Sequence, residues 1–295
     1  MQITTHPAMN HKLVLLCLFG LNFQLSSPIY ACTLWGVAGN TSLDGTLIAK
    51  NRDWTPNHQQ SLRLQTPRTG YRYLGLFADD GHFKGLKAGV NKQGLVVLSA
   101  STSSLPRSIR EADRERHGVM AQILQNSASL DDVTAHADDL FSKAKPVFLL
   151  LADRYGLMQV EVGQHGKYRL QRIDQGTVAH TNHYLDESVL DQPQHVGMSS
   201  AIRLARINAL LAEHDTPWQR DDFTLISRDK NAGPDNSLWR LGKAHTLASW
   251  QMALPLQGPA RLHLILANPN QPEQLVDLTL DSKFWRQMDG VLAPK

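Results

Sequence analysis

Short apolar runs bounded by turn residues recur at Leu95–Leu98, Val147–Ala152, Gln159–Val162, Arg261–Ala267 and Gln274–Leu280, and each predicts a strand. Thr33–Ala38 and Thr46–Asn51 are two more, separated by Gly39, Asn40, Asp44 and Gly45, residue types that reverse a chain, so they predict an antiparallel hairpin. With the turn centred between Ser42 and Leu43, paired positions sum to about 85 and Cys32 stands opposite Asp53. A slip of a residue or two still brings Lys50–Trp54 back to the start of the first strand. Helical spacing appears between the strands. Leu130, Val133, Ala137, Leu140 and Phe141 share one face, with Ser129 and Asp132 placed as a capping box, and a further helix is expected over Ile109–Gln125. After Ser199, Leu204, Ile207, Leu210 and Leu211 occupy one arc of a third helix. Arg203 falls inside that arc, so it either points inward at a polar partner or snorkels outward from the first turn. Strands early, helices in the middle and strands again late make an α+β chain, two sheets face to face and covered by helices. No Pro/Gly-rich linker and no internal repeat divides residues 32–295, which read as a single domain.

Composition narrows the function classes. The chain has 295 residues, 42% hydrophobic and 19% charged, which suits a globular protein with a sizeable core. Thirty Lys+Arg against 27 Asp+Glu leave only +3, and no run of five or six like charges occurs, so a nucleic-acid surface has no support. No apolar stretch reaches the ~18 residues of a transmembrane helix, which excludes a polytopic membrane protein. A homo-oligomer stays open.

The N-terminus carries the order of a secretory signal over residues 1–31: His11 and Lys12, an apolar run Leu13–Leu21, polar Ser26, Ser27 and Pro28, then Ala31 at the cut. The expected location is secreted or periplasmic. Cleavage after Ala31 removes Cys17 and leaves Cys32 as both the first residue and the sole cysteine. A cysteine in that place admits two readings. One is a bacterial lipoprotein, an anchored binding module lipidated at Cys32; Ile29 fits that pattern and Tyr30, two before the cysteine, does not. The other is a thiol kept for chemistry, since a half-disulfide has no partner and an exported lone thiol is unusual.

An N-terminal cysteine joins nucleophile and general base in one residue, because its own α-amine can accept the thiol proton. Acyl transfer then needs a cation near the thiolate, an acceptor to hold the amine and a donor for the oxyanion. The hairpin supplies Lys50, Asn51, Arg52 and Asp53 at that end, and Trp54 beside them could line an acyl pocket. His180-x-x-His183 has a ligand-like spacing, but in a strand or loop it does not converge on a metal; HExxH and G-x-S-x-G are absent from the sequence.

Cys32-Thr33, Gly45-Thr46-Leu47 and Lys50–Trp54 together resemble the start of the cysteine-type N-terminal nucleophile (Ntn) hydrolases, the isopenicillin-N acyltransferase-like proteins, related to choloylglycine hydrolase, penicillin V acylase and acid ceramidase. Gly89–Leu95, Thr181–Tyr184, Ser199–Leu204 and Thr246–Ser249 match further motifs in order, so the resemblance spans most of residues 32–295. It implies the four-layer αββα sandwich. It also implies an amide C–N hydrolase or acyltransferase working through a thioester on Cys32, with Asp53 accepting from the α-amine, Asn182 donating to the oxyanion and Arg203 orienting the site. His183, beside Asn182, joins Trp54 as a substrate-binding candidate. The implied partner is a small-molecule amide, with no metal or cofactor. One departure stands out: many relatives carry arginine three residues before the aspartate, where this chain has Lys50, with Arg52 adjacent to Asp53 instead, so either could supply the cation.

Overall fold

The computed structural model describes residues 1–2, 31–79, 84–112 and 117–294; the expected signal segment lies almost wholly outside them. The first hairpin joins β1 (Cys32–Ala38) to β2 (Thr46–Trp54). Its turn starts and ends on Gly39 and Gly45, with φ of 85° and 79°, where a side chain would be strained. At Gly45 a Cβ would also lie 2.3 Å from the Leu254 carbonyl oxygen. This turn centres on Ser42 and not one half-step later. The register is therefore Cys32↔Arg52, Thr33↔Asn51 and Leu34↔Lys50, which corrects the expected pairing of Cys32 with Asp53 by one residue. The Asp53 N–H instead donates to the Ala31 carbonyl, 3.1 Å away.

The other strands are β3 (Gln60–Gln65), β4 (Tyr73–Ala78), β5 (Gly85–Asn91), β6 (Val96–Ala100), β7 (Val147–Asp153), β8 (Gly156–Val162), β9 (Tyr168–Ile173), β10 (Gly176–His180), β11 (His245–Leu254), β12 (Arg261–Leu266), β13 (Gln274–Thr279) and β14 (Gly290–Ala293). Among the described residues they form two antiparallel sheets, ordered β10-β1-β2-β11-β12-β13 and β14-β3-β4-β5-β6-β7-β8-β9. All five apolar runs of the sequence fall on these strands.

Helices α1 (Arg107–Arg110), α2 (Met120–Asn126), α3 (Leu130–Ala135), α4 (Ala137–Phe141), α5 (Met198–Ala212), α6 (Arg220–Ser227) and α7 (Gly233–Asn236) complete the chain. Two expected helices are broken. Ile109–Gln125 is not continuous, because Gly118 and a bridge between His117 and Ala144 interrupt it, so α1 and α2 are separate. The helix from Leu130 is interrupted at His136, whose φ/ψ of −113°/19° is not helical. Ser129 caps as expected, accepting from the Asp132 N–H at 3.1 Å, but the Asp132 carboxylate reaches back to the Ala128 N–H, at 2.7 Å, and not to Ser129.

Alternation along the strands sorts the core into layers. Leu34, Ile48, Trp250 and Leu264 of the first sheet meet Leu76, Val90, Leu98 and Leu150 of the second. On its other face the first sheet packs Trp35, Leu47 and Ala49 against Ile207, Leu211 and Phe223 of α5 and α6. The second sheet turns Val97, Leu149 and Val160 toward Ile123, Leu124, Val133 and Phe141 of α2–α4. This is the αββα sandwich, with the start of β1 between a facing sheet and a helix layer. Among the described residues no helix is long and apolar enough to cross a membrane.

Candidate active site

Directly opposed residues of an antiparallel pair share a face, and neighbours along a strand take opposite faces. Cys32, Lys50 and Arg52 therefore face the second sheet, while Thr33, Asn51 and Asp53 face the helices. The two groups are separated by one backbone thickness at Cys32.

On the inter-sheet face, Lys50 Nζ donates to the carbonyl oxygens of Lys87 at 2.7 Å and Ser99 at 2.5 Å. Burial draws its pKa down to about 8, against the pull of Cys32 and Asp53 toward the charged form. Arg52 donates to Gln60 Oε1 at 3.1 Å, lies 3.0 Å from His58 Nδ1 and sits 5.7 Å from the centre of the Trp54 ring; its Nε is buried without a partner. Burial lowers the Arg52 pKa to about 10. Lys87, reaching in from β5, has no hydrogen-bond or ion-pair partner for its Nζ among the described residues, and burial with Arg52 and Lys50 nearby draws it down to about 7. These residues, Cys32 and Trp54 line a cavity of about 180 Å³ closed by Ser99–Thr102 and Pro146.

On the helix face, Asn51 Nδ2 donates to the carbonyls of Ser227 and Leu238, both at 2.8 Å, which ties β2 to the layer above it. Asn182, two residues beyond β10, turns its Oδ1 to the Cys32 N–H at 2.9 Å. Its Nδ2 donates to the Ser101 carbonyl at 2.9 Å and lies 3.3 Å from Ser101 Oγ. Arg203 points inward from α5 and is fully buried, settling the choice between inward and outward. Its Nη1 donates to the Cys32 carbonyl at 2.7 Å and Thr33 Oγ1 at 2.8 Å, and its Nη2 to Asn182 Oδ1 at 2.9 Å. Burial lowers the Arg203 pKa to about 10, with Asp53 as the main opposing influence.

Asp53 is wholly buried. Oδ1 accepts from the Thr246 hydroxyl at 2.7 Å, and Oδ2 has no hydrogen-bond partner. Burial pushes its carboxyl from 3.8 up to about 6, although Arg240, Arg203, Thr246 and Arg52 all favour the carboxylate. Arg240 Nη1 lies 4.0 Å from Asp53 Oδ2, and all three of its guanidinium nitrogens are buried without hydrogen-bond partners. Sequence reasoning missed Arg240 and Lys87. The only signal for Arg240 is its place between Trp239 and Leu241, a charge among apolar residues; Lys87 lies in a strand that no apolar run announced.

The structure thus brings Cys32, Lys50, Arg52, Asp53, Asn182, Arg203 and Trp54 together. His183 lies one step away. Its Nδ1 is 2.8 Å from Ser200 Oγ, which in turn accepts from the Asn182 N–H at 2.9 Å, and it lines neither cavity at Cys32. His180 is buried against Glu161, with Nε2 2.7 Å from Oε1, and does not converge with His183. No cluster of His, Cys, Asp and Glu among the described residues could hold a metal. A second cavity, about 900 Å³, opens on the other side of the Ala31–Cys32 bond, lined by Ala31, Leu105, Asn182, Met198, Arg203 and Arg240.

Comparison with curated proteins gives no match. Among solved structures, a mutant of the conjugated bile acid hydrolase from Clostridium perfringens aligns over 89% of this chain and 97% of its own at 12% identity, TM-score 0.54. The Caenorhabditis elegans ortholog of N-acylethanolamine-hydrolyzing acid amidase aligns over 89% and 100% at 14% identity, TM-score 0.55. At such identities the likeness establishes the fold, that of the Ntn hydrolases. The family profile described as acyl-coenzyme A:6-aminopenicillanic acid acyl-transferase matches residues 40–271. With most of its length so matched, the chain belongs to the acyl-coenzyme A:6-aminopenicillanic acid acyl-transferase family, as an enzyme of the amide hydrolase and acyltransferase class.

Proposed function

We propose that the protein is an exported amidase or acyltransferase whose nucleophile is Cys32, freed by cleavage after Ala31, within a single catalytic domain of residues 32–295. The observation that carries this reading is the grip on the Cys32 backbone. Its nitrogen is held by Asn182 Oδ1, its carbonyl by Arg203, and the same guanidinium holds Asn182 in place. A network of this kind fixes an amine whose lone pair must be aimed. The unfilled Oδ2 of Asp53 offers an acceptor for that amine once the Ala31 bond is cut.

In the proposed reaction the α-amine takes the thiol proton and Sγ bonds to the substrate's amide carbon. The oxyanion receives hydrogen bonds from a backbone N–H and from the Asn182 Nδ2 hydrogen now spent on the longer contact to Ser101 Oγ. Collapse breaks the C–N bond, the α-ammonium gives its proton to the departing nitrogen, and a thioester remains. Water or an acceptor amine attacks the thioester carbon and gives a proton to the α-amine, the C–S bond breaks to release the carboxylic acid or the new amide, and the α-ammonium returns the proton to the thiolate. The leaving group receives its proton from the α-amine, so we assign it to the large cavity at Ala31 and the acyl group to the cavity at the thiol.

The competing lipoprotein reading has less support, since Cys32 is 7% exposed and begins a paired strand, leaving little room for a lipid on its sulfur. Intact mass and N-terminal sequencing of the exported protein test both readings. A bare start at Cys32, with hydrolysis of p-nitroanilides or N-acyl amino acids, is the expected result; added lipid mass or another start rejects the proposal. Cys32→Ser should lower the rate by at least ~10²-fold, because an alcohol is a far poorer nucleophile near neutral pH.

A further inference from the structure

Activating one thiolate calls for one cation, yet the cavity at Cys32 holds more. Lys50, Arg52, Lys87 and Arg110 all line it, and no carboxylate does so among the described residues. The donors of the first three are also incompletely used. Lys87 Nζ has no partner among the described residues, Arg52 Nε is buried without one, and Lys50 fills two of its three N–H bonds with carbonyl oxygens. Desolvated cations without an anion are destabilising, and the lowered pKa values of Lys50 and Lys87 register that cost. Sites that keep such an arrangement commonly have a charged ligand to complete it. Trp54, Pro146 and Val147 supply apolar wall for a short methylene chain between the sulfur and the cations.

We propose that this cavity is a subsite for a short acyl chain ending in a carboxylate, as in the monoamide of a four- or five-carbon diacid, with Lys87 and Arg52 Nε meeting the distal carboxylate. The proposal rests on the reading that Cys32 takes up the acyl group. Its anion-binding content does not, and the two parts can be tested separately.

The first experiment compares the mono-p-nitroanilide of glutaric acid, whose distal carboxylate is free, with its neutral isostere in which that carboxylate is a primary amide, using protein expressed with its leader and recovered after processing. The acid should have the higher kcat/KM, on the order of tenfold or more, as expected for charge-assisted hydrogen bonds. Lys87→Met should bring the acid-to-amide ratio toward one. Turnover of both substrates without preference for the acid overturns the subsite and leaves the amidase reading standing. The second experiment measures alkylation of Cys32 by iodoacetate and by iodoacetamide, each relative to free cysteine. A cationic cavity raises the iodoacetate-to-iodoacetamide ratio above that of free cysteine, and Lys87→Met lowers it again. That result without turnover of either anilide keeps the anion subsite and rejects the amidase reading. An unchanged ratio, or a thiol that neither reagent reaches, overturns the subsite.

Discussion

Replacing Asp53 by asparagine should make the protein more stable at neutral pH while removing activity. The Asp53 carboxyl titrates at about 6 in the folded chain against 3.8 for an ordinary aspartate, because burial outweighs the four groups that favour its charge. Between those values the folded state binds more protons than the unfolded one, so stability falls as pH rises from about 4 to about 6 and stays reduced above that. At about 1.4 kcal/mol per pH unit, the carboxylate costs on the order of 3 kcal/mol at pH 7 to 8. Asparagine mimics the protonated form in shape and charge and escapes that cost. The measurement is urea unfolding of uncleaved protein at several pH values from 4 to 8, with Cys32→Ala in both arms and the uncleaved state of each sample checked by intact mass. Cys32 is not among the groups that shift Asp53, so the background leaves the comparison intact. Asp53→Asn should gain stability above pH 6, and the gap should close toward pH 4. A variant that is equally stable or weaker at pH 7 to 8 would refute the argument, showing that Arg240 and Arg203 compensate the buried charge fully. In an otherwise wild-type chain the same substitution should abolish amidase activity, a site destabilised for function.

Three other expectations follow from the same geometry. Asn182→Ala should reduce kcat by ~10²–10³ if its amide serves the oxyanion; a change confined to KM would contradict that role. Arg203→Met removes the donor shared by Cys32, Thr33 and Asn182 and should destabilise the fold by ~3–5 kcal/mol in urea unfolding, the cost of breaking a buried charged network; a loss under ~1 kcal/mol would mean the grip is loose. Gly45→Ala combines a positive φ with a Cβ 2.3 Å from the Leu254 carbonyl and should cost ~1–3 kcal/mol, read as a lower melting temperature. An unchanged melting temperature would contradict the turn that sets the hairpin register.

The layers were legible in the sequence because five strands announce themselves as apolar runs and both faces of the sheets are buried. Other strands were silent for a physical reason. Tyr168–Ile173 and Gln60–Gln65 carry arginine and glutamine among their apolar residues, and their pairing is decided by neighbours far along the chain. The helices failed at their interruptions, His136 and Gly118, where tertiary contacts outweigh a continuous apolar face. In the site, the residues near Cys32 on β2 and the inward Arg203 could be reasoned out from periodicity and resemblance. Arg240 and Lys87 could not, since each is brought in by a strand or loop whose place depends on the whole sheet.

The one-residue register correction changes what the site is. Opposition of Cys32 to Asp53 would have set the thiol and the carboxylate on the same face, with Lys50 and Arg52 both on the other. With Cys32 opposite Arg52, alternation sends Lys50 and Arg52 to the sulfur's side, and Asn51 and Asp53 to the side of Arg203 and Arg240. The thiol and the main-chain nitrogen of Cys32 then emerge on opposite sides of one strand, each into its own cavity and its own charge environment. Cations surround the sulfur, while carboxylate, amide and guanidinium surround the nitrogen. The proposed mechanism, in which Cys32 is nucleophile and base at once, calls for that partition, because groups that favour a thiolate differ from those that hold an amine ready for a proton. The period-two alternation of β2 begins it, sending Lys50 and Arg52 to one side and Asp53 to the other, and Asn182 and Arg203, brought in from beyond β10 and from α5, complete the nitrogen's side.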